Sequence, residues 1–196
     1  MREEEKRNSG KKRGKALRKA RIEEELTRYG SGILDSEEMR RAYEQTHHTL
    51  STVGDHTLRV AKKSLAICHA LDRLHISTDI PAVVAGALCH DLGILGREAR
   101  FSSPRERSRR HPADSVEVAR KLVGELPDKS TDIISRHMWP AGRSKPPNSL
   151  EAAIVCAADK LAAVEDFVRG YEEKRPGVKG VVREIRERKR RERREE

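Results

Sequence analysis

Eight histidines, at positions 47, 48, 56, 69, 75, 90, 111 and 137, are the most informative residues of this 196-residue chain. His90 is followed directly by Asp91 near the end of an apolar run, AVVAGALCHDLG. Neighbours on a helix point about 100° apart, so the two side chains share a ligand only near a helix end or between their directions. An imidazole and a carboxylate side by side on an apolar helix need something polar, and a cation satisfies both. Asp159 poses the same problem within AAIVCAADKLAAV, where a carboxylate on an alanine-rich face is costly unless ion-paired or metal-bound. Taken singly, each residue also fits a plainer role. A buried histidine is commonly a hydrogen-bonded core residue, and Asp159 could pair with Lys160 or an arginine.

Such residues need elements to present them, and the composition points to helices. Aromatic residues make up 3% of the chain, hydrophobic residues 35% and charged residues 38%, with Ala and Leu abundant. A β-sandwich would want Val, Thr, Tyr and Phe in alternation. The expectation is an all-α fold, a single helical bundle with charged N- and C-terminal extensions, divided as 1–35, 36–170 and 171–196. Residues 1–35 have helix-forming composition, but Gly10, Gly14 and their charge predict a basic extension, partly helical or disordered. Asp35-Ser36-Glu37-Glu38 is a helix start, and a helical pattern runs through the HISTD segment with a break near Gly54. Asp79-Ile80-Pro81 opens the next helix, with Val83, Val84, Ala87, Leu88 and Leu92 on a wide apolar face. A loop over GREARFSSPRERSRR follows, and Pro112 heads a helix through Leu126. Ser130 to Met138 reads as another helix, and Asn148-Ser149 caps a long one running to about Arg169. Val178, Val181, Val182 and Ile185 suit a last short helix before the charged tail.

The net charge of +10 sits mainly at the ends. Residues 1–28 hold 11 basic and 6 acidic side chains, and residues 183–196 hold 8 and 5, against 23 and 21 between them. The tail REIRERKRRERREE interleaves both signs, the pattern of a solvated helix or frayed end, so specific nucleic-acid binding is the lesser expectation. No run approaches 18 apolar residues, so no membrane span is expected. The start, MREEEKRNSGKKRGK, has no apolar segment behind it, which argues against a secretory signal and for the cytoplasm. Cys68, Cys89 and Cys156 are isolated within apolar patterns, without a CxxC pair for zinc, and read as buried free thiols.

Three motifs in order carry a resemblance. They are Gly54-Asp55-His56-Thr57-Leu58-Arg59-Val60-Ala61, then Ala87-Leu88-Cys89-His90-Asp91-Leu92-Gly93, then Ala157-Ala158-Asp159-Lys160-Leu161. The order His, His-Asp, Asp on separate helices resembles the HD superfamily of metal-dependent phosphohydrolases, over about residues 46–168. A bare His-Asp dipeptide is a weak signal, whereas three matched motifs in order are a strong one. His111 and His137 extend the likeness to members with a H…HD…H…H…D set, and THHTLSTVGDH with RHMWP…IVCAADK is similar to a group of small bacterial HD hydrolases. The resemblance implies that His56, His90, Asp91 and Asp159 hold one metal. It implies a second on His111 and His137, with Asp91 bridging.

Imidazole and carboxylate without thiolate suit Mn, Fe, Co, Ni, Zn or Mg and do not choose among them. Two such ions roughly 3.5–4 Å apart activate water and clamp phosphoryl oxygens. The expected activity is therefore hydrolysis of a phosphoester or phosphoanhydride in a nucleotide or other small phosphorylated metabolite, with Asp91 central to it. Two other outcomes stay open, a di-iron oxygenase on the same six ligands and a non-catalytic module binding nucleotide or nucleic acid. His48 lies about 80° round from His56 if one helix continues, and could orient water, protonate a leaving group or face solvent. Lys160 could contact a phosphate or be ion-paired, while His47, His69 and His75 are assigned to structure or solvent. Many HD enzymes carry Lys three residues after the Asp of the dyad, where this chain has Ile94. Residues 97–110 hold six Arg against two Glu, which suits either a mobile cationic loop presenting Arg97 and Arg100 to an anionic substrate or an ordinary solvated loop.

Overall fold

Polar caps decide where the helices begin. In the computed structural model, which describes residues 2–48, 51–142 and 144–174, the elements follow in the order helix, helix, two-stranded ribbon, then six further helices. Helix α1 spans Arg2–Leu34 and α2 spans Glu37–Glu44, the latter started by Ser36, whose hydroxyl accepts the Met39 N–H at 3.1 Å. Strands β1 (Thr46–His48) and β2 (Ser51–Thr52) pair antiparallel, Thr46 opposite Thr52 and His48 opposite Ser51. Helix α3 (Val53–Asp72) starts at a capping box: the Asp55 N–H meets the Thr52 hydroxyl at 3.0 Å and the Asp55 carboxylate accepts the Thr52 N–H. Asp79 caps α4 (Ile80–Cys89), which leads into a 3₁₀ turn at Leu92–Ile94 and a single-turn helix α5 (Arg97–Arg100). Helices α6 (Pro104–Val123), α7 (Asp128–Arg136) and α8 (Leu150–Lys174) complete the bundle.

The core forms around α4. Its Val83, Val84, Ala87, Leu88 and Cys89 have no exposed surface, because α1, α3 and α7 pack on it and α8 reaches it as well. Burying a Val or Leu side chain stabilises by about 1.5–3 kcal/mol, so this helix anchors whatever its C-terminal end carries. That end carries His90 and Asp91. All three cysteines are free and buried, as their apolar surroundings imply. No described helix is long and apolar enough to cross a membrane.

The all-α reading holds, with four local differences. Residues 1–35, expected as an extension, include a continuous helix whose second half enters the core through Leu26 and Ile33, and Glu25 meets the buried His69 at 2.7 Å. The break near Gly54 falls earlier: the ribbon at 46–52 interrupts the helical pattern, and Gly54 lies inside the first turn of α3. No helix therefore runs from His48 to His56. The expected cationic loop is largely helical, because Ser103 accepts the Glu106 N–H and Pro104 follows it, a strong helix start eight residues before Pro112. Pro112 then lies inside α6. Helix α8 continues past Arg169 through Gly170, which costs about 1 kcal/mol in a helix but does not end one. The stretch Val178–Ile185 and the charged tail lie outside the described residues.

Candidate metal centre

Six side chains from five segments converge beneath the core. His56 sits in the second turn of α3, His90 follows the last residue of α4, and Asp91 precedes the 3₁₀ turn. His111 comes from the middle of α6, His137 from the end of α7 and Asp159 from the middle of α8. None is more than 8% exposed. Their donor atoms form two groups, His56 with His90 and Asp159, and Asp91 with His111 and His137, each within 4.8 Å.

Asp91 lies between the groups. Its Oδ2 is 3.9 Å from His56 Nε2 and 3.5 Å from His90 Nε2, while Oδ1 is 3.3 Å from His111 Nε2 and 3.4 Å from His137 Nε2. Asp159 Oδ1 is 3.0 Å from His56 Nε2 and 3.8 Å from His90 Nε2.

The other ring nitrogen of every imidazole is fixed. Nδ1 of His90, His111 and His137 faces the carbonyls of Ala87, Arg107 and Ile134 at 2.8, 2.9 and 2.7 Å. A carbonyl only accepts, so each Nδ1 carries a hydrogen and a neutral ring presents its Nε2 lone pair to the centre. His56 Nδ1 meets the Asp166 carboxylate at 3.2 Å, with the same consequence. Two results follow. His90 Nε2 is buried without a hydrogen-bond partner, and the Nε2 atoms of His111 and His137 face each other at 2.9 Å. Two lone pairs at that distance require a proton or a cation between them. The donor set fits divalent metals on this ground, since metal-bound histidines characteristically donate their second N–H to a carbonyl or carboxylate.

Electrostatics agree with the geometry. Burial drives His90 down to about 4, which keeps it neutral at pH 7. For His56, burial acts downward, but the hydrogen bond to Asp159 and the charge on Asp91 outweigh it and raise its pKa. His111 is raised likewise: Asp91 overcomes the effect of burial. Burial would lift Asp159, yet its bond to His56 and the neighbouring His90 hold its carboxyl well below the usual range. Cys89, next to His90, is pushed up to about 12 by burial and stays a neutral thiol, not a competing thiolate ligand.

Gly93 sets how closely the two groups approach. A Cβ there would lie 2.4 Å from the His111 carbonyl oxygen and 2.4 Å from the Ser115 nitrogen, so only glycine lets the turn after Asp91 rest on the backbone of α6. The Gly93 N–H donates to Ser115 Oγ at 2.9 Å. Gln45 adds a clamp from the α2 side, donating to the Ile94 carbonyl at 3.0 Å and accepting the Gly96 N–H at 2.7 Å.

The HD domain family model matches residues 53–164, from the start of α3 into α8 beyond Asp159. The chain belongs to the HD domain family. HD domains are mostly metal-dependent phosphohydrolases and generally bind divalent metals. No curated protein and no solved structure matches this HD domain significantly.

The six donors expected from the sequence are thus brought together, and the other expected residues distribute differently. Lys160 sits beside the centre, donating to the His137 carbonyl at 2.6 Å and to Asp159 Oδ2 at 2.8 Å. Arg100 braces the turn: one nitrogen donates to the Gly93 and Leu95 carbonyls and another to Asp114. Arg97 lines a cavity of about 380 Å³ with Glu44, Gln45, Thr46 and Glu98. The side chain of His48 lies outside the described residues. Ile94, at the position of the family's lysine, is a core residue at 3% exposure. Asp166 and Arg59 were not foreseen. Asp166 bridges His56 Nδ1 and the Arg59 guanidinium, the latter at 2.8 Å. The signal was present, because Asp166 follows Asp159 by two helical turns and so shares its face.

Proposed function

We propose that this HD domain hydrolyses a phosphoester or phosphoanhydride bond in a nucleotide or another small phosphorylated metabolite. Two divalent ions would be held, one by His56, His90, Asp91 and Asp159 and one by Asp91, His111 and His137. The observation that carries the reading is the orientation of four imidazoles, each with Nδ1–H anchored and Nε2 turned toward two shared carboxylates. Bound there, divalent ions supply Lewis-acid stabilisation of phosphoryl oxygens and a more acidic water. Mn, Fe, Co, Ni, Zn and Mg all suit such nitrogen and oxygen donors.

The chain's own residues have distinct tasks in this scheme. Asp91 offers one oxygen to each group and fixes their separation. Asp166 orients His56, and Arg59 holds Asp166. An ammonium has three donors, and two of those on Lys160 are engaged, so the third is assigned to a substrate phosphate in place of the family's lysine. His48, in the ribbon leading into α3, is assigned to proton transfer with water or the leaving group. A cytoplasmic location suits three reduced, buried cysteines.

The test is metal analysis of protein purified without added metal, followed by a nucleotide and phosphoester panel with Mn²⁺ or Co²⁺ under anaerobic conditions. Turnover without oxygen separates this activity from a di-iron oxygenase. Absence of turnover with every metal and substrate would overturn the proposal.

A further inference from the structure

A second polar feature lies on the outer side of the two helices that deliver His111 and His137. A cavity of about 300 Å³ is walled by Arg109 on α6, by Ser135 and Arg136 at the end of α7, and by Gly142, Ser144 and Lys145 in the loop before α8. Among the described residues three cations line it and no carboxylate does. The nearest counter-charge identified in the hydrogen-bond network, Asp132, is spent: Oδ1 pairs with Arg136 Nε at 2.5 Å, and Oδ2 accepts from the Asn148 and Ser149 backbones and the Ser149 hydroxyl.

The walls are built, not incidental. Arg136 is locked in place, since besides Asp132 it donates to the Pro146 carbonyl at 2.7 Å. Gly142 adopts a φ of +66°, and a Cβ there would lie 2.8 Å from the Ser108 carbonyl oxygen, so the loop is laid directly on α6. That carbonyl is the one Pro112, lacking an N–H, leaves without its helical donor. Arg109 and Lys145, by contrast, have no hydrogen-bond or ion-pair partner among the described residues. One fixed guanidinium and two exposed cations without counter-charge make the lining positive, while the two serine hydroxyls donate to backbone carbonyls, Ser135 to that of Asp132 and Ser144 to those of Ser135 and Lys145.

We infer that this pocket binds a phosphate group, as a phosphate monoester or a pyrophosphate. Its volume lies at the small end of ligand cavities, suited to an oxyanion and not to a groove-filling macromolecule. Arginine presents a planar fork to phosphate oxygens, while lysine contributes charge without fixed geometry. The pocket and the metal centre share α6 and α7, with Arg136 adjacent in sequence to His137 and Arg109 two residues before His111. The anion is either a second phosphate of the substrate or a free phosphate that reads the cell's supply. The first source rests on the phosphohydrolase reading; the site itself does not.

The experiment measures calorimetric binding of inorganic pyrophosphate to the full chain in chelator, so that no cation links the probe to the metal centre. The unaltered protein binds, and the double variant Arg109→Gln/Lys145→Gln binds about tenfold more weakly or less. Both side chains lack partners, so thermal melting of the variant should stay close to that of the parent. Equal binding by both proteins, or no binding by either, overturns the site. A second arm compares kcat/KM for a substrate with two phosphate groups against one with a single phosphate. If the double variant lowers that ratio about tenfold, the anion is the substrate's own; an unchanged ratio with pyrophosphate binding intact assigns the site to a free anion. Intact pyrophosphate binding in a protein that hydrolyses nothing strikes the proposed function and leaves the pocket standing.

Discussion

The two donor groups of the centre are built by different means. In the first, His56 is held between carboxylates, Asp166 on Nδ1 and Asp159 on Nε2, and both come from α8. In the second, His111 and His137 are anchored by main-chain carbonyls of their own helices, and Asp91 is the acid that faces them both. The contrast has a physical consequence. The first group holds its charge locally and tolerates a protonated His56, whereas the second brings two imidazole nitrogens to 2.9 Å and depends on Asp91. In each group an imidazole whose pKa is raised faces a carboxylate, His56 against Asp159 and His111 against Asp91, so protons compete with a cation for those nitrogens. Metal loading should therefore release protons, more of them as the pH is lowered, measurable by calorimetry in buffers of different ionisation enthalpy.

The variant with the largest expected effect is the one that removes what the groups share. Asp91→Ala should lose both ions and cut kcat/KM by roughly 10³-fold or more while the fold persists, since the core around α4 is untouched. Retention of full activity with normal metal content would refute the shared role. Gly93→Ala should come next. Its Cβ would meet the α6 backbone, which cannot yield as a flexible side chain can, so the turn must move away from His111. Overpacking of this kind costs about 1–3 kcal/mol. The signature is selective: the Asp91–His111–His137 ion should weaken more than the other, read by metal titration with two resolved stoichiometric steps.

How far the centre was legible follows from what kind of signal each residue leaves. His90-Asp91 and Asp159 stood out because polar groups interrupt apolar helices, and burial makes such interruptions expensive. The likeness of their order to the HD superfamily then implied His56, His111 and His137. Other features left weaker traces. The ribbon at 46–52 is too short for an alternating pattern, and α6 began early because Ser103-Pro104 is a local cap overshadowed by Pro112. Sequence shows the charge of Arg100 but not its local bonds to Gly93, Leu95 and Asp114. Asp166 was hidden in a charged segment, EDFVRGYEEK, where composition does not mark the one acid that turns inward at 5% exposure.

The pH dependence of the metal-free protein sharpens the comparison further. His90 titrates at about 4 in the fold against about 6.5 unfolded, so between those values the unfolded chain binds the extra proton. Stability should accordingly rise from pH 4 to 6.5, by roughly 3 kcal/mol from this residue. The depressed Asp159 acts in the same direction at lower pH: its contribution is present above the unfolded carboxyl value and is lost as pH falls through the folded one. His56 and His111, both raised, contribute fully below about pH 6.5 and lose that contribution as pH rises through their folded values. Denaturant unfolding in chelator should thus show a maximum near pH 6.5. A flat profile between pH 4 and 6.5 would show that His90 is not buried as a neutral base.

The smallest expected effect separates the two groups most cleanly. Asp166→Asn keeps the size of the side chain but removes the charge that faces His56 Nδ1 and Arg59. An amide can present either its oxygen or its NH₂ to the ring, so the tautomer of His56 is no longer imposed. Loss of an outer-shell partner of this kind typically weakens metal binding by about 10–100-fold. The loss should fall on the His56–His90–Asp159 ion alone, because His111 and His137 take their orientation from the backbone of α6 and α7. Metal titration of the variant should therefore leave one affinity unchanged and shift the other. An equal shift in both would mean that the groups behave as one cluster through Asp91, and that the separate anchoring of their imidazoles has no energetic consequence.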